Sequence, residues 1–406
     1  MGSRIFRWLR SLYSLRVLGV AIALFFAFTL TGCGITPVKA EDRIFRNLSL
    51  DFLGEYRLPK MQFAETTVGG LSGIVYDRQR DRFYAISDDR SEYNPARFYT
   101  LKLKLEPSAT LPDSLIQSVE VEKVTLLKDA NGKPFAKGTL DPEGIALTPR
   151  HSLFISSEGV SRDGVNPFVN EFDLETGQQR SALSIPKRFL PKPDEMLGIR
   201  DNQGFESLTL SAVGFASGQQ LEPFRLFTAT ESAIAQDLPP NFPPDSLPPV
   251  SAPVRFLHYL IGEENSASML ISEHIYLLDQ PPPETKNNGL TEMLVLDQGG
   301  HFLSLERSFG AAGFGAKLFQ MATGGANDTS TFDAFQGNIG GVTPIYKEPL
   351  LDLAELGIPL DNLEGMTLGP QLPDGTQTLL LVSDDNFNDL QTTQFLLFRL
   401  RGNSIQ

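Results

Sequence analysis

What most constrains the fold of this chain is a loose repeat: a turn of small residues, a short strand, a tight turn, and a second strand ending in Ser or Thr beside an acid. Residues 70–74 (GLSGI) lead to 84–89 (YAISDD), and residues 141–145 (DPEGI) lead to 153–158 (LFISSE). Residues 204–208 (GFESL) lead to 226–231 (LFTATE), and residues 362–366 (NLEGM) to 380–385 (LLVSDD). The apolar runs are short and bounded by Gly, Pro, Asp and Asn, which reads as strands rather than helices. Apart from the start of the chain, only residues 350–356 (LLDLAEL) offer helical spacing, for barely two turns. The class is therefore all-β. Two further stretches, 255–261 with 268–272 and 292–297 with 301–307, read as degenerate copies. About six units of irregular length predict radial repetition, which leaves few exposed sheet edges, and so a six-bladed β-propeller. Proline-rich residues 238–253 and 281–283, and the Gly-, Asn- and Thr-rich residues 309–341, are expected as loops between units.

The start of the chain has a different character. Arg4, Arg7, Arg10 and Arg16 precede an uncharged apolar run over residues 17–30. That run is shorter than the roughly 20 residues a membrane-spanning helix needs, so a basic n-region followed by a signal-peptide h-region is the better reading. Leu30-Thr31-Gly32-Cys33 resembles the bacterial lipobox, which predicts a signal peptide over 1–32, lipidation at Cys33 and a tether over 33–48. An ordinary cleavage site at Val38-Lys39-Ala40 is the alternative. The expected location is the cell envelope. The chain would be held to a membrane by lipid, with the outer membrane favoured because Gly34, not Asp, follows the cysteine, or would be released to the periplasm.

Cys33 is the only cysteine, so no internal disulfide can form, and a chain of this length needs none to build a core. The chain carries 35 basic against 49 acidic residues, and residues 1–32 hold four of the basic ones and none of the acidic. The remainder is thus more acidic still, which argues against nucleic acid as a partner. The same surplus suits a hard cation with all-oxygen ligands, Ca²⁺ above all. His151, His258, His274 and His301 are scattered and have no zinc-type spacing.

In a propeller, acids recurring at one point of successive units converge on the central channel. Two sets do so. Glu143, Glu206 and Glu364 stand in the opening turns, where the first unit has Ser72. Asp88, Asp89, Glu158, Glu231, Asp384 and Asp385 follow the second strand. Carboxylates gathered within about 6 Å raise one another's pKa and call for a cation or shared protons. The alternative is that each acid accepts backbone N–H groups in its own turn. Residues 384–389 (DDNFND) are rich in oxygen ligands but lack the Gly and Glu of an EF-hand loop. Signatures for a serine-nucleophile elbow, a β-lactamase-type S-x-x-K site, a P-loop and a histidine acid phosphatase are all absent or out of context.

Residues 68–74 with 84–89, 141–144, 202–206, 303–309, and 361–365 with 382–387 resemble the phytase-like family, also described by an esterase-like activity of phytase. The resemblance runs from about Phe52 to Leu400 and delimits a single domain over 49–406. It implies a propeller fold and a hydrolase of phosphoric or carboxylic esters, by kinship with calcium-dependent propeller phytases. The match to the calcium and phosphate ligands of those phytases does not extend residue by residue. Only Arg97, Arg255 and Arg307 bring positive charge near the recurring elements. On this reading Glu206, Glu364 and Arg307 are the catalytic candidates, with Arg307 meeting phosphate charge. Glu143, Glu158, Glu231, Asp88, Asp384 and Asp385 are the candidate metal ligands. A small ester or phosphoester is the expected substrate and Ca²⁺ the expected cofactor. The alternative function is a propeller that binds a ligand or partner without turnover.

Overall fold

A computed structural model of the chain describes residues 44–106, 114–211, 223–243, 246–262 and 268–402. The signal peptide expected over 1–32, and Cys33, lie outside the described residues. Strand β1 (Ser49–Arg57) comes first, followed by the small hairpin β2 (Met61–Phe63) and β3 (Thr66–Val68). Blade one is β4 (Leu71–Asp77), β5 (Arg82–Ser87), β6 (Arg97–Leu105) and β7 (Ile116–Leu126). Blade two is β8 (Pro142–Leu147), β9 (Ser152–Ser157), β10 (Phe168–Asp173) and β11 (Gln179–Ala182). Blade three comprises β12 (Phe205–Ser211), β13 (Phe224–Thr230), β14 (Val254–Ile261) and β15 (Met269–Tyr276). Blade four comprises β16 (Thr285–Val295), β17 (His301–Gly310), β18 (Gly313–Ala322) and β19 (Tyr346–Asp352). Blade five is β20 (Asn362–Gln371), β21 (Gln377–Asp384) and β22 (Gln394–Arg401), completed on its outer edge by β1.

The fold is thus an all-β propeller, with five blades and not the six expected from sequence. Residues 255–261 and 268–272, read as a degenerate unit, are the third and fourth strands of blade three. They have the apolar strand pattern of a unit and even a Ser-acid pair, Ser272-Glu273, but no small-residue opening turn, and Glu273 is taken up by Arg255 and Arg188 instead of joining the acids of the inner strands. The innermost strands β4, β8, β12, β16 and β20 each contact the next, and β20 returns to β4, so the ring is closed.

Closure buries both faces of each sheet, and alternate side chains of one strand serve two interfaces. Tyr84 and Ile86 of β5 pack toward blade two, with Leu153 and Ile155. Phe83 and Ala85 between them pack toward blade five, with Leu380 and Val382. Similar wedges fill the joints between blades two and three, three and four, and four and five. That explains the continuous apolar runs: neither face of these strands meets water.

The glycine that follows the bulged residue in GLSG and DPEG has a specific cause. A Cβ on Gly144 would stand 2.5 Å from the carbonyl oxygen of Glu206, and one on Gly73 would stand 2.5 Å from that of Glu143. Neighbouring inner strands approach too closely there for a side chain.

Phe398 is fully buried between blades four and five, whereas Leu390 is 93 % exposed. Phe398→Ala is expected to cost about 3–5 kcal/mol, and Leu390→Ala less than about 0.5 kcal/mol, measured as shifts in urea unfolding midpoint at constant slope.

Candidate metal centre on the propeller axis

Every innermost strand carries a β-bulge at the same height. Register slips at Ser72 in β4, at Glu143 and Gly144 in β8, at Glu206 in β12, at Thr291 in β16 and at Glu364 in β20. A bulge adds a residue without a ladder partner and re-aims its side chain. Here it yields one ring of five positions: Ser72, Glu143, Glu206, Thr291 and Glu364, all buried. The second strand of each blade supplies a parallel ring. Opposite the residue before each bulge stand Ser87, Ser157, Thr230, Glu306 and Ser383. The residues immediately after them are Asp88, Glu158, Glu231, Arg307 and Asp384.

Backbone bonds fix where the second ring sits. The N–H of Asp88 donates to the Gly70 carbonyl at 2.6 Å, that of Glu158 to Asp141 at 3.0 Å, and that of Glu231 to Gly204 at 2.6 Å. Serines and threonines ending the second strands staple the layers: Ser156 Oγ accepts from Gly144 N–H at 2.9 Å, and Thr228 Oγ1 donates to the Ser207 carbonyl at 2.9 Å.

The two rings bring seven carboxyl groups and one guanidinium together. Asp88, Glu143, Glu206, Arg307, Glu364 and Asp384 line one cavity of about 200 Å³, with Asn202, Asn287, Asn362 and Asn386 between them. Oxygen atoms of Asp88, Asp141 and Glu143 lie within 4.8 Å of one another, as do those of Glu143, Glu158 and Glu206. Glu143 belongs to both groups. Arg307, which takes the blade-four place of an acid, donates through one terminal nitrogen to Glu231 at 3.2 Å and to Glu364 at 3.1 Å. Asn362 donates to the same Glu364 oxygen at 2.8 Å. Asp141 is held by the Arg90 guanidinium, with Nε 2.6 Å from Oδ1.

A model of the phytase-like family, described as esterase-like activity of phytase, matches residues 66–387. The chain belongs to the phytase-like family. No curated protein matches this phytase-like chain. Among solved structures it is similar to the catalytic domain of Coprinopsis cinerea GH62 alpha-L-arabinofuranosidase, at 12 % identity over 87 % of this chain and 97 % of that one, with a TM-score of 0.40. It is also similar to a putative glycoside hydrolase from Parabacteroides distasonis, at 10 % identity over 91 % of this chain and 95 % of that one, with a TM-score of 0.42. Likeness at that level says nothing of the chemistry.

The phytase-like propeller gathers most of the residues its sequence singles out and sets others apart. Asp385 is turned toward blade one, where it accepts from Gly70 N–H at 2.8 Å and Lys60 Nζ at 2.5 Å. Asp89 forms a buried pair with Arg97 at 2.7 Å, and Arg255 pairs with Asp237 at 2.6 Å; both pairs brace loops away from the axis. Four contributors were not assigned a role from sequence. Asp141 and Asn202 were visible in DPEG and NQGFE only as motif letters. Thr291 was hidden because blade four, whose Gly289-Leu290-Thr291 matches Gly70-Leu71-Ser72, has neither an acid at the bulge nor a glycine after it. Glu292, the next residue, is a fully enclosed carboxyl that accepts from Met293 N–H at 2.8 Å and Leu208 N–H at 3.1 Å, tying blade four to blade three.

The two readings of the acids can now be separated residue by residue. Asp384 accepts from Asn386 N–H at 2.8 Å, and Glu158 Oε1 accepts from Gly204 N–H, as a turn-pinning role requires. Glu143 and Glu206 do not follow that pattern: among the described residues no donor meets their carboxyl groups. Glu158 Oε2 and Glu231 Oε2 are buried without a hydrogen-bond partner, and so is Arg307 Nε.

Burial, and then the neighbouring acids, push Asp88, Glu143, Glu158, Glu206 and Asp384 well above the ordinary carboxyl range. Burial also raises Glu231, against the pull of Arg307 and Arg200. Glu364 is pushed up to about 7 by burial, with Arg307 pulling the other way. The pH dependence follows in sign. Below the ordinary carboxyl range the folded and unfolded chains both hold these protons and nothing is lost. Above it the unfolded chain ionises freely while the fold resists, so stability falls as pH rises. In EDTA the melting temperature is therefore expected to drop steadily between about pH 5 and pH 8. A flat or rising profile over that window would contradict the crowding.

Proposed function

We propose that this protein is a metal-assisted ester hydrolase acting on phosphomonoesters, with a divalent cation, Ca²⁺ by preference, held on the propeller axis. The observation that carries the reading is the pair of buried carboxyl groups, Glu143 and Glu206, that meet no donor beside the unpartnered oxygens of Glu158 and Glu231. Buried charges are tolerated when paired or when coordinating a metal. The donor set is all oxygen and anionic, which suits a hard cation. Glu143, Glu158 and Glu206, whose oxygens lie within 4.8 Å of one another, would hold it. Such a cation supplies Lewis acidity and lowers the pKa of a bound water.

The remaining groups divide the work of acid, base and anion binding. Arg307, buried on the axis, offers positive charge toward a phosphoryl group, with Glu231 and Glu364 fixing its direction. Glu364, near neutrality, is suited to take a proton from an attacking water or return one to a leaving oxygen. The four asparagines lining the cavity orient polar groups without adding charge. Support for an ester substrate comes from membership of a family described by esterase-like activity of phytase. Lipid attachment at Cys33 would place this activity in the cell envelope.

The test is hydrolysis of a generic phosphomonoester, phytate and a short acyl ester by the purified protein, with Ca²⁺ or EDTA. Phosphomonoester turnover is expected with Ca²⁺, with a loss of about 10²-fold or more in Glu364→Gln and Arg307→Gln. Glu206→Gln discriminates more sharply. It removes one of several mutually repelling acids, so in EDTA at about pH 8 it is expected to raise the melting temperature while weakening the calcium response. If Glu206 instead pinned the backbone, the substitution would destabilise the protein in both buffers. Calcium binding with no turnover of any ester would identify the protein as a ligand-binding propeller.

A further inference from the structure

A second cavity, of about 550 Å³, lies beside the acid-lined one. The two share a wall. Asn202 faces the acids while Gln203 faces the second cavity, and Asn287 and Lys286 divide in the same way. Arg200 also lines the second cavity, and its charge acts on the buried carboxyl of Glu231 in the ring.

The lining is of two kinds. Leu197, Leu238 and Phe242 give it an apolar wall, extended by Met196, which is 49 % exposed. Arg162, Arg200 and Lys286 give it positive charge; among the described lining residues Asp201 is the one acid, 3.7 Å from Arg162, which also lies 3.9 Å from Asp163. In a protein of net charge −14 this is a local reversal of sign. Such a field gathers anions, and such a wall removes apolar surface from water. A neutral hydrocarbon would gain from the wall and nothing from the cations. A polyphosphate of a cyclic polyol would gain from the cations and nothing from the wall.

We infer that this cavity binds the organic half of the substrate, and that this half is an apolar group of aromatic size bearing an anionic substituent of its own. The assignment to a substrate rests on the hydrolase reading above, but occupancy of the cavity does not, since binding can be measured without turnover. The ester bond would then lie at the shared wall, within reach of the ring, while the second anionic group meets Lys286.

The probe is 1-naphthoate, titrated into the full-length protein by calorimetry in EDTA and again in Ca²⁺. Binding is expected in both buffers. It should weaken about threefold in Lys286→Gln and about tenfold in Phe242→Ala, and be weaker for the neutral analogue 1-naphthalenemethanol. The melting temperature of Lys286→Gln should match the parent, since that side chain is exposed. Absence of naphthoate binding, or equal affinity for the neutral analogue with no effect of Lys286→Gln, would overturn the inference. Failure of the metal reading leaves a different trace: naphthoate still binds, but calcium changes neither stability nor turnover.

Discussion

The structure turns on the mutual repulsion of carboxyl groups held on the axis of a closed ring. Five inner strands meet there, and each carries one extra residue at the same height. Bulges that only bent the strands could have carried any small residue. Three of them carry Glu, and four of the five residues behind them are acids. Such a site is destabilising while the acids are ionised and uncompensated. It persists because the blades around it are locked by apolar wedges on both faces, from Phe83 against blade five to Phe398 against blade four. The core and the site therefore pull in opposite directions, a common relation between stability and function.

Arg307 is where the five-fold pattern is broken, and the break gives the ring a direction. It occupies a place that is acidic in the other four blades and joins Glu231 of blade three to Glu364 of blade five. The carboxyls nearest it are the less perturbed ones: Glu364 comes to about 7, whereas Glu143, on the far side, is pushed well above its ordinary value by burial and by the acids around it. One half of the axis thus resembles a salt bridge and the other half an acid cluster in which acids outnumber the one nearby cation, Arg90. A cation would be needed only in the second half.

Much of this was legible in the sequence. The acids recur beside Ser or Thr at strand ends, and Glu-Gly recurs in the opening turns, because the inner strands need a re-aimed side chain followed by a residue without one. Asp88, Glu143, Glu158, Glu206, Glu231, Glu364 and Asp384 could be named on that basis. The number of blades could not. Outer strands such as Val254–Ile261 share the apolar pattern of inner ones, and only their distance from the axis tells them apart. Asp385 was legible as an acid but not as a clasp, since its neighbour Asp384 differs from it only by which way the chain turns after β21. Glu292 and Asp141 were hidden for a related reason: their partners lie in other blades, at Leu208 and Arg90.

The acid ring is predicted to hold protons that a bound cation would displace. Calorimetric titration of Ca²⁺ at pH 7, in two buffers of different ionisation heat, counts those protons. Release of about one or more per protein is expected, falling in Glu206→Gln. Surface carboxylates are already ionised at that pH and would release none. Calcium binding without proton release, or no binding at all, would contradict a protonated ring on the axis.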